Sequence, residues 1–546
     1  MRPYICGALG RIDTAILGKL MAAGPRVRPA LQSADASLFS STPLPPYHRG
    51  ERSFAFAWGE HRAAAADDWM TVAETYETPG LIGDGTRVTL HAGALGLVDL
   101  YYVRHGSAVY FSSLIQPLLS LVPVEIDWSA WASILQVTFP LGEATPYREV
   151  KRLPGSSALV FDPGRDGAGE VAVERRLPRW LRSEPYEAWI SPGEIVELLH
   201  EVYRDYAGRK LLVPVSGGYD SRLLASVAKA QDADVESWTT SPDDGTDTDI
   251  AFARSITREL GIPHRVILQD AADYPDDAME VARRLEYLTP HHAWYAPFAK
   301  EVQGAGRVLI DGLAGGPLLK NFMVSGAALE ARTQAERSAA VLGSLSLGAP
   351  SQPFLSKAAT QWMEETVREQ FAAATSMLHG HRAELPLSVL HTRTVRGIAR
   401  SAVNLVGPEA SFAAPFIHPE FFDAALSVGV ARKDKGRFYR EVLHAANPRV
   451  AALPSTNVVK QPLQRIPLRS TAAPARRYSH RMLEAVATRV PGLLSEELHE
   501  VVAGGPDALT RFSGWNDRFW VRGLVLFGLW LSDFENDLTD LTPPFS

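Results

Sequence analysis

The stretch Val213-Pro214-Val215-Ser216-Gly217-Gly218-Tyr219-Asp220-Ser221 restricts the fold of this chain more than any other. Apolar residues at 211 to 215 predict a short buried strand. Leu223, Leu224, Val227 and Ala228 recur at helical spacing and predict a helix over Arg222 to Ala230, so the Ser-Gly-Gly turn joins a strand to a helix N-terminus. Such a junction suits a phosphate. Glycines let backbone N–H groups approach an anion, serines add hydroxyl donors, and the helix start offers unpaired amides and a positive dipole end. Asp220 conflicts with that role unless a divalent cation lies between the charges, and it is therefore read as a magnesium ligand. The lysine-bearing loop G-x-x-x-x-G-K-[ST] is absent.

A chain of 546 residues exceeds the size at which one apolar core keeps growing, so at least two domains are expected. The net charge of -7 gives no basic field for nucleic acid. A lone cysteine, Cys6, excludes an internal disulfide and a cysteine-rich zinc site and suits a reducing cytoplasm. There is no basic-then-apolar leader, and Gly523 to Leu531 is too short to span a bilayer. The expectation is a cytoplasmic protein with no membrane or nucleic-acid partner.

Residues 1–190 are predicted to form a layered β domain with few helices, with strands at Ser53 to Trp58, Arg87 to Leu90, Leu97 to Arg104, Ser107 to Ser112 and Ser157 to Phe161. Arg179 to Pro192 is the expected linker. Over 191–546 strands and helices alternate: strands Leu211 to Val215, Val235 to Thr240, His264 to Leu268 and Arg307 to Ile310, with helices Arg222 to Ala230 and Asp249 to Leu260. That order predicts a parallel sheet covered by helices, with ligands at the strands' carboxyl ends. Trp238-Thr239 should then lie beside the phosphate loop, as should the turn Asp311-Gly312-Leu313-Ala314-Gly315-Gly316. Beyond about 320 the pattern is mostly helical, broken by the Gly-, Ser- and Pro-rich stretch 343–353.

The loop matches the S-G-G-x-D-S of the ATP pyrophosphatases, and the whole chain resembles the asparagine synthetase family. Leu95-Gly96-Leu97-Val98-Asp99-Leu100-Tyr101-Tyr102 with Tyr110-Phe111-Ser112-Ser113 is similar to that family's glutaminase-domain L-G-x-x-P-L-Y-Y and F-A-S-E. Thr145 to Gly155 resembles the domain-joining T-x-F-x-x-I-x-x-L-P-P-G, and Ala414-Pro415-Phe416-Ile417-His418-Pro419 resembles R-x-P-F-L-D-P. The resemblance implies an N-terminal glutaminase-like domain of the Ntn-hydrolase type. It also implies a C-terminal parallel-sheet ATP-pyrophosphatase domain with a helical extension.

The departures redirect the function. In the family an N-terminal cysteine releases ammonia from glutamine with its own α-amino group as base. Five residues precede Cys6, so its nitrogen is an amide. The aspartate that holds the glutamine amino group would fall near Gly93, in His91-Ala92-Gly93-Ala94, and is missing, and Trp58-Gly59-Glu60 only partly echoes N-G-E-I-Y-N. An amine other than ammonia is therefore expected. Leu453-Pro454-Ser455-Thr456-Asn457 is similar to the L-P-S-T-N-D of lasso peptide cyclases, with Val458 in place of the aspartate. That branch implies ATP and Mg2+ as cofactors, and adenylation of an Asp or Glu side chain of a precursor peptide. The peptide's freed N-terminal amine then attacks. Implied partners are the precursor, a leader-binding protein and a leader peptidase. A small-molecule β-lactam or carbapenam synthetase and a silent maturation scaffold are the alternatives.

On this resemblance Ser216, Gly217, Gly218 and Ser221 cradle pyrophosphate and Asp220 holds the metal, while Val215, Trp238 and Thr239 meet the adenosine through backbone groups. The family's second metal carboxylate falls at Gly316. Asp311 is the nearest substitute, with Gly312 beside it, and a simple turn cap is the competing reading of Asp311. Lys460 stands in the place of the family's catalytic lysine. Leu313 replaces the tyrosine of the β-lactam branch and moves no proton, which leaves His291 and His292 or solvent as base, with a structural reading preferred for the histidines. Arg465, Arg469, Arg476, Arg477 and Arg481 are read as a solvated face.

Overall fold

The structure, a computed structural model, describes residues 3–50, 53–58, 77–163, 169–182, 189–346, 353–407, 410–459 and 465–545. Two compact units emerge: Met1–Ser133 with Pro140–Ser183 and Asp533–Pro544, and Ile134–Phe139 with Glu184–Ser532 and Phe545–Ser546.

The first unit carries strands β1 (Ile5–Leu9), β2 (Arg28–Gln32), β3 (Ala36–Ser40), β4 (His48–Arg49), β5 (Phe54–Ala57), β6 (Gly80–Gly83), β7 (Val88–His91), β8 (Tyr101–His105), β9 (Ala108–Ser112), β10 (Lys151–Arg152), β11 (Ser157–Phe161) and β12 (Val171–Arg175). They make two six-stranded sheets with pairing antiparallel throughout, in the orders β10-β8-β9-β1-β3-β2 and β12-β11-β7-β6-β5-β4. Leu9, Leu38 and Phe111 of one sheet share an apolar core with Leu81, Leu90 and Leu159 of the other. The sheets therefore face each other, each large core side chain contributing about 1.5–3 kcal/mol. All five residues of β1 are buried because the helix Thr14–Ala23 packs on it, its start capped by the Asp13 carboxylate, which accepts from the Ala15 and Ile16 amides.

The second unit is built on a parallel sheet in the order β15-β14-β13-β16-β17. Its strands are β13 (Leu211–Leu212), β14 (Val235–Thr239), β15 (His264–Val266), β16 (Val308–Ile310) and β17 (Ser411–Ala413). Pro214 donates no hydrogen bond, so β13 ends earlier than its apolar run predicts. The chain steps from β13 to β14 and β15 on one side, then returns to the other side as β16 and β17. Beyond the carboxyl end of β13 the order reverses, which is where ligands collect in open parallel sheets. The phosphate loop follows β13. Strand β17 was not expected: three residues amid helical sequence carry too little alternation to be seen. The expected linker and the stretch 343–353 fall partly outside the described residues. No helix among the described residues is long and apolar enough to cross a membrane.

Candidate active site

The helix predicted from Arg222 begins earlier, spanning Tyr219–Ala230 with Gly218 at its N-cap. No side chain caps this end, so the first-turn amides remain available to an anion at the loop. The loop amides behave differently. Ser216 N–H donates to Ser221 Oγ (3.0 Å), Gly218 N–H to Ser216 Oγ (3.2 Å) and Gly217 N–H to Asp249 Oδ1 (2.8 Å). The two serines thus shape the loop. Asp249, from the helix Thr248–Leu260, is a participant that its sequence context does not single out; burial raises its pKa, against the amide of Gly217 and the Thr456 hydroxyl. At Gly217 a Cβ would lie 2.6 Å from Thr456 Cγ2 and 2.9 Å from Asp249 Oδ1, so only glycine fits.

Arg222 fixes the loop to a distant segment. Its Nε donates to Gly218 O (3.0 Å), Nη1 to Val450 O (3.3 Å) and Leu453 O (3.1 Å), and Nη2 to Gly217 O (3.0 Å) and Pro454 O (2.8 Å). All five guanidinium N–H donors meet carbonyls, which is what a fully buried arginine requires. Burial pulls its pKa to about 10, while the neighbouring Tyr219 and Tyr439 oppose the shift. Ser455 Oγ also donates to Gly217 O (2.9 Å), as does the Thr456 amide (3.0 Å). The Leu453 to Asn457 segment is thereby held against the loop.

Asp220 sits in the first turn of the helix. A Cβ at Gly315 would lie 2.7 Å from Asp220 Oδ1, and one at Gly312 would lie 2.8 Å from Asp220 Cβ, so the turn after β16 wraps the carboxylate with bare backbone. Ala314 takes a positive φ of 74° to make that wrap. Asp311 ends β16 on the same side. Burial raises its pKa to about 6, the Leu313 amide opposes this, and the charge of Asp220 adds to it. Two carboxylates close enough to repel each other, one of them with a buried and unpartnered Oδ1 on Asp220, fit a divalent cation held by one or two carboxylates plus phosphate oxygens. Among the described residues no group of three or more His, Cys, Asp or Glu gathers into an all-protein metal site.

The place of the expected second carboxylate, Gly316, is filled otherwise. A Cβ there would meet Phe322 Cβ at 3.2 Å and Lys320 Cε at 3.5 Å. Lys320 stands 3.8 Å from Asp220 Oδ2 and donates to Asn457 Oδ1 (2.8 Å). Nothing in the local sequence distinguishes it from an ordinary lysine near a helix end. Tyr439, from the helix Arg437–Ala446, faces Asp220, and burial followed by that carboxylate's charge pushes its phenol well up.

On the other flank Thr239 Oγ1 donates to Val215 O (2.5 Å) and bonds His264 Nε2 (2.8 Å). Val215, Trp238 and Thr239 therefore lie beside the loop, with the Trp238 ring stacked edge-on to Phe298 and under Arg265. Lys460 lies outside the described residues, as do Gly59 and Glu60. His291 bonds Thr138 (2.8 Å) and His292 bonds Gly397 O (3.1 Å). Burial drives His291 well below the usual range and His292 to about 4, which makes both poor bases at neutral pH. Arg469 departs from the solvated-face reading: it is buried, its amide and that of Ser470 donate to the Asp243 carboxylate, and its guanidinium donates to Ser241 O.

In the first unit Cys6 is buried in β1, paired with Phe39 and Ser112 across the ladder. Burial pushes its thiol up to about 11, against a hydrogen bond with Tyr4. Gly93 has φ 80°, and a Cβ there would come within 3.2 Å of Glu77 Oε1. Glu77 already binds the Leu95 and Leu97 amides, both at 2.5 Å.

No curated protein matches the chain. Residues 203–315, which run from the helix before β13 through the phosphate loop to the turn after β16, match the family described as Asparagine synthase. That domain supports the asparagine synthetase family, whose members are ATP-dependent amide-forming ligases.

Proposed function

We propose that the chain is a lasso peptide cyclase, an AMP-forming macrolactam synthetase that takes no ammonia from glutamine. The observation that carries the reading is the Arg222 staple, which joins the phosphate loop to the Leu453 to Asn457 segment through five donors. The substrate's Asp or Glu carboxylate attacks the α-phosphorus of ATP and pyrophosphate leaves. The peptide's N-terminal amine then attacks the acyl carbon, AMP leaves, and the amine proton passes to solvent. The first-turn amides of Tyr219–Ala230 stabilise the charge that grows on pyrophosphate. Mg2+, held by Asp220 and Asp311, would supply further positive charge there. Lys460 is the proposed cation at the acyl centre.

Two features support an amine from the substrate itself: the buried, weakly acidic thiol of Cys6 and the absence of a carboxylate at Gly93. A leader-binding protein and a leader peptidase are the proposed partners, since the nucleophilic amine must first be freed. The test is exchange of labelled pyrophosphate into ATP with the cleaved precursor present, followed by mass spectrometry. Exchange together with a product lighter by one water is expected. Absence of exchange with a competent precursor would sink the adenylation reading; exchange satisfied by a small amino acid alone would replace the peptide reading with the small-molecule one.

A further inference from the structure

Lys320 is the last residue of the helix Gly315–Lys320, and only 13% of its side chain is exposed. Its ammonium has three donors. One goes to Asn457 Oδ1, a neutral acceptor. The rings of Tyr219, Phe322 and Tyr439 flank it with centroids at 5.7, 5.5 and 5.8 Å, which confines the charge without giving it a strong acceptor. Its carboxylate neighbour, Asp220, is 3.8 Å away, beyond hydrogen-bonding reach. Asp220 keeps 30% of its side chain exposed, so the more buried ammonium is the charge left without a contact partner, and burial makes that costly. Here both partners keep capacity in reserve: Asp220 has a buried Oδ1 with no hydrogen-bond partner, and of the three Lys320 donors one is taken by Asn457 Oδ1.

A ligand that brings a divalent cation and a polyphosphate together meets both needs at once. We infer that Lys320 is a phosphate-binding residue that exchanges partners: it neutralises Asp220 in the empty protein and turns to the polyphosphate when a metal-bound nucleotide enters. This rests on the nucleotide-binding reading above and adds a residue to it. It also explains how the loop works with glycine at 316. A resident ammonium supplies positive charge beside Gly316, which has no carboxylate for a second metal.

The exchange has a signature that a merely structural lysine lacks. Without nucleotide, Lys320 competes with a divalent cation for Asp220; with nucleotide, it assists. In Lys320→Met, Mn2+ alone should therefore bind more tightly and the Mn2+ complex of α,β-methylene ATP more weakly. The two affinities are measured on the full chain by electron paramagnetic resonance and calorimetry. A several-fold gain for the bare metal and a loss of about tenfold or more for the nucleotide are expected, with Lys320→Arg recovering most of the nucleotide affinity. Thermal unfolding checks that the variant is folded, and Lys320→Gln serves the same purpose where Met disturbs the aromatic cage. Unchanged affinities, or two that fall together in a folded variant, would overturn the exchange while leaving the nucleotide reading intact. Failure of the wild-type chain to bind the nucleotide would overturn both.

Discussion

Cys6 and Asp220 are both groups on which chemistry could rest, and the protein treats them in opposite ways. Cys6 lies within a strand whose two neighbours complete its ladder, and its thiol is pushed towards the neutral form. Asp220 lies at a helix start, wrapped by glycine backbone and facing an ammonium at a non-contact distance. The difference shows what reactivity requires. A group needs an unsatisfied valence and an opening towards ligand, and the phosphate loop supplies both, whereas β1 supplies neither.

The contrast is tested most severely at Asp220. Asp220→Asn keeps the shape and removes the charge, so pyrophosphate exchange should fall by roughly 10²–10³, comparable to removing a transition-state donor; full activity would refute the metal assignment. Next in size is Arg222→Met, which removes five buried guanidinium hydrogen bonds, among them those to the Leu453 and Pro454 carbonyls. Loss of about 3 kcal/mol or more is expected in urea unfolding, and a variant as stable as wild type would show that the staple is redundant.

Asp311 offers a pH test of intermediate size. Its folded pKa, about 6, lies above its ordinary value of 3.8, so its contribution to stability is fully present below the ordinary value and is lost as pH rises through about 6. Without ligands, Asp311→Asn should thus melt higher than wild type at about pH 8 and match it at about pH 4. Mn2+ binding by wild type should weaken as pH falls through about 6, a limb that the variant lacks. Equal melting of the two proteins across that range would remove Asp311 from the buried pair. The smallest effect belongs to Cys6. Cys6→Ala should leave pyrophosphate exchange unchanged and cost about 1 kcal/mol or less, and iodoacetamide should label the wild-type thiol only after unfolding. Rapid labelling of the native protein would reopen the question of a reactive thiol.

The strand–turn–helix around 211 to 230, the alternating elements that follow it and the paired β runs of the first unit were all legible, because each rests on a local period of apolar residues. Strand β17 was not, being three residues long, and neither was the π-helical stretch Leu390–Ile398. At the site, the loop and Asp311 stood out through residue type and spacing. Asp249, Lys320 and Tyr439 did not, since an aspartate in a first helical turn, a lysine near a helix end and a tyrosine on an amphipathic helix are common in any chain. Arg469 departs from its expected solvated place for a related reason. A basic run reads as solvated unless the buried carboxylate that anchors it, here Asp243, is known to be adjacent.

What the sequence by itself determined is a glycine-rich strand-to-helix junction with an acidic residue in its first helical turn, set in an α/β parallel sheet. That information is local, carried by neighbours along the chain. Tertiary structure alone decided which distant groups complete the junction: Arg222 meets carbonyls more than two hundred residues away, and Lys320 spans 137 residues to reach Asn457. Such pairings follow from how the helices pack over the sheet, and their energy comes from desolvation and geometry that no local pattern encodes.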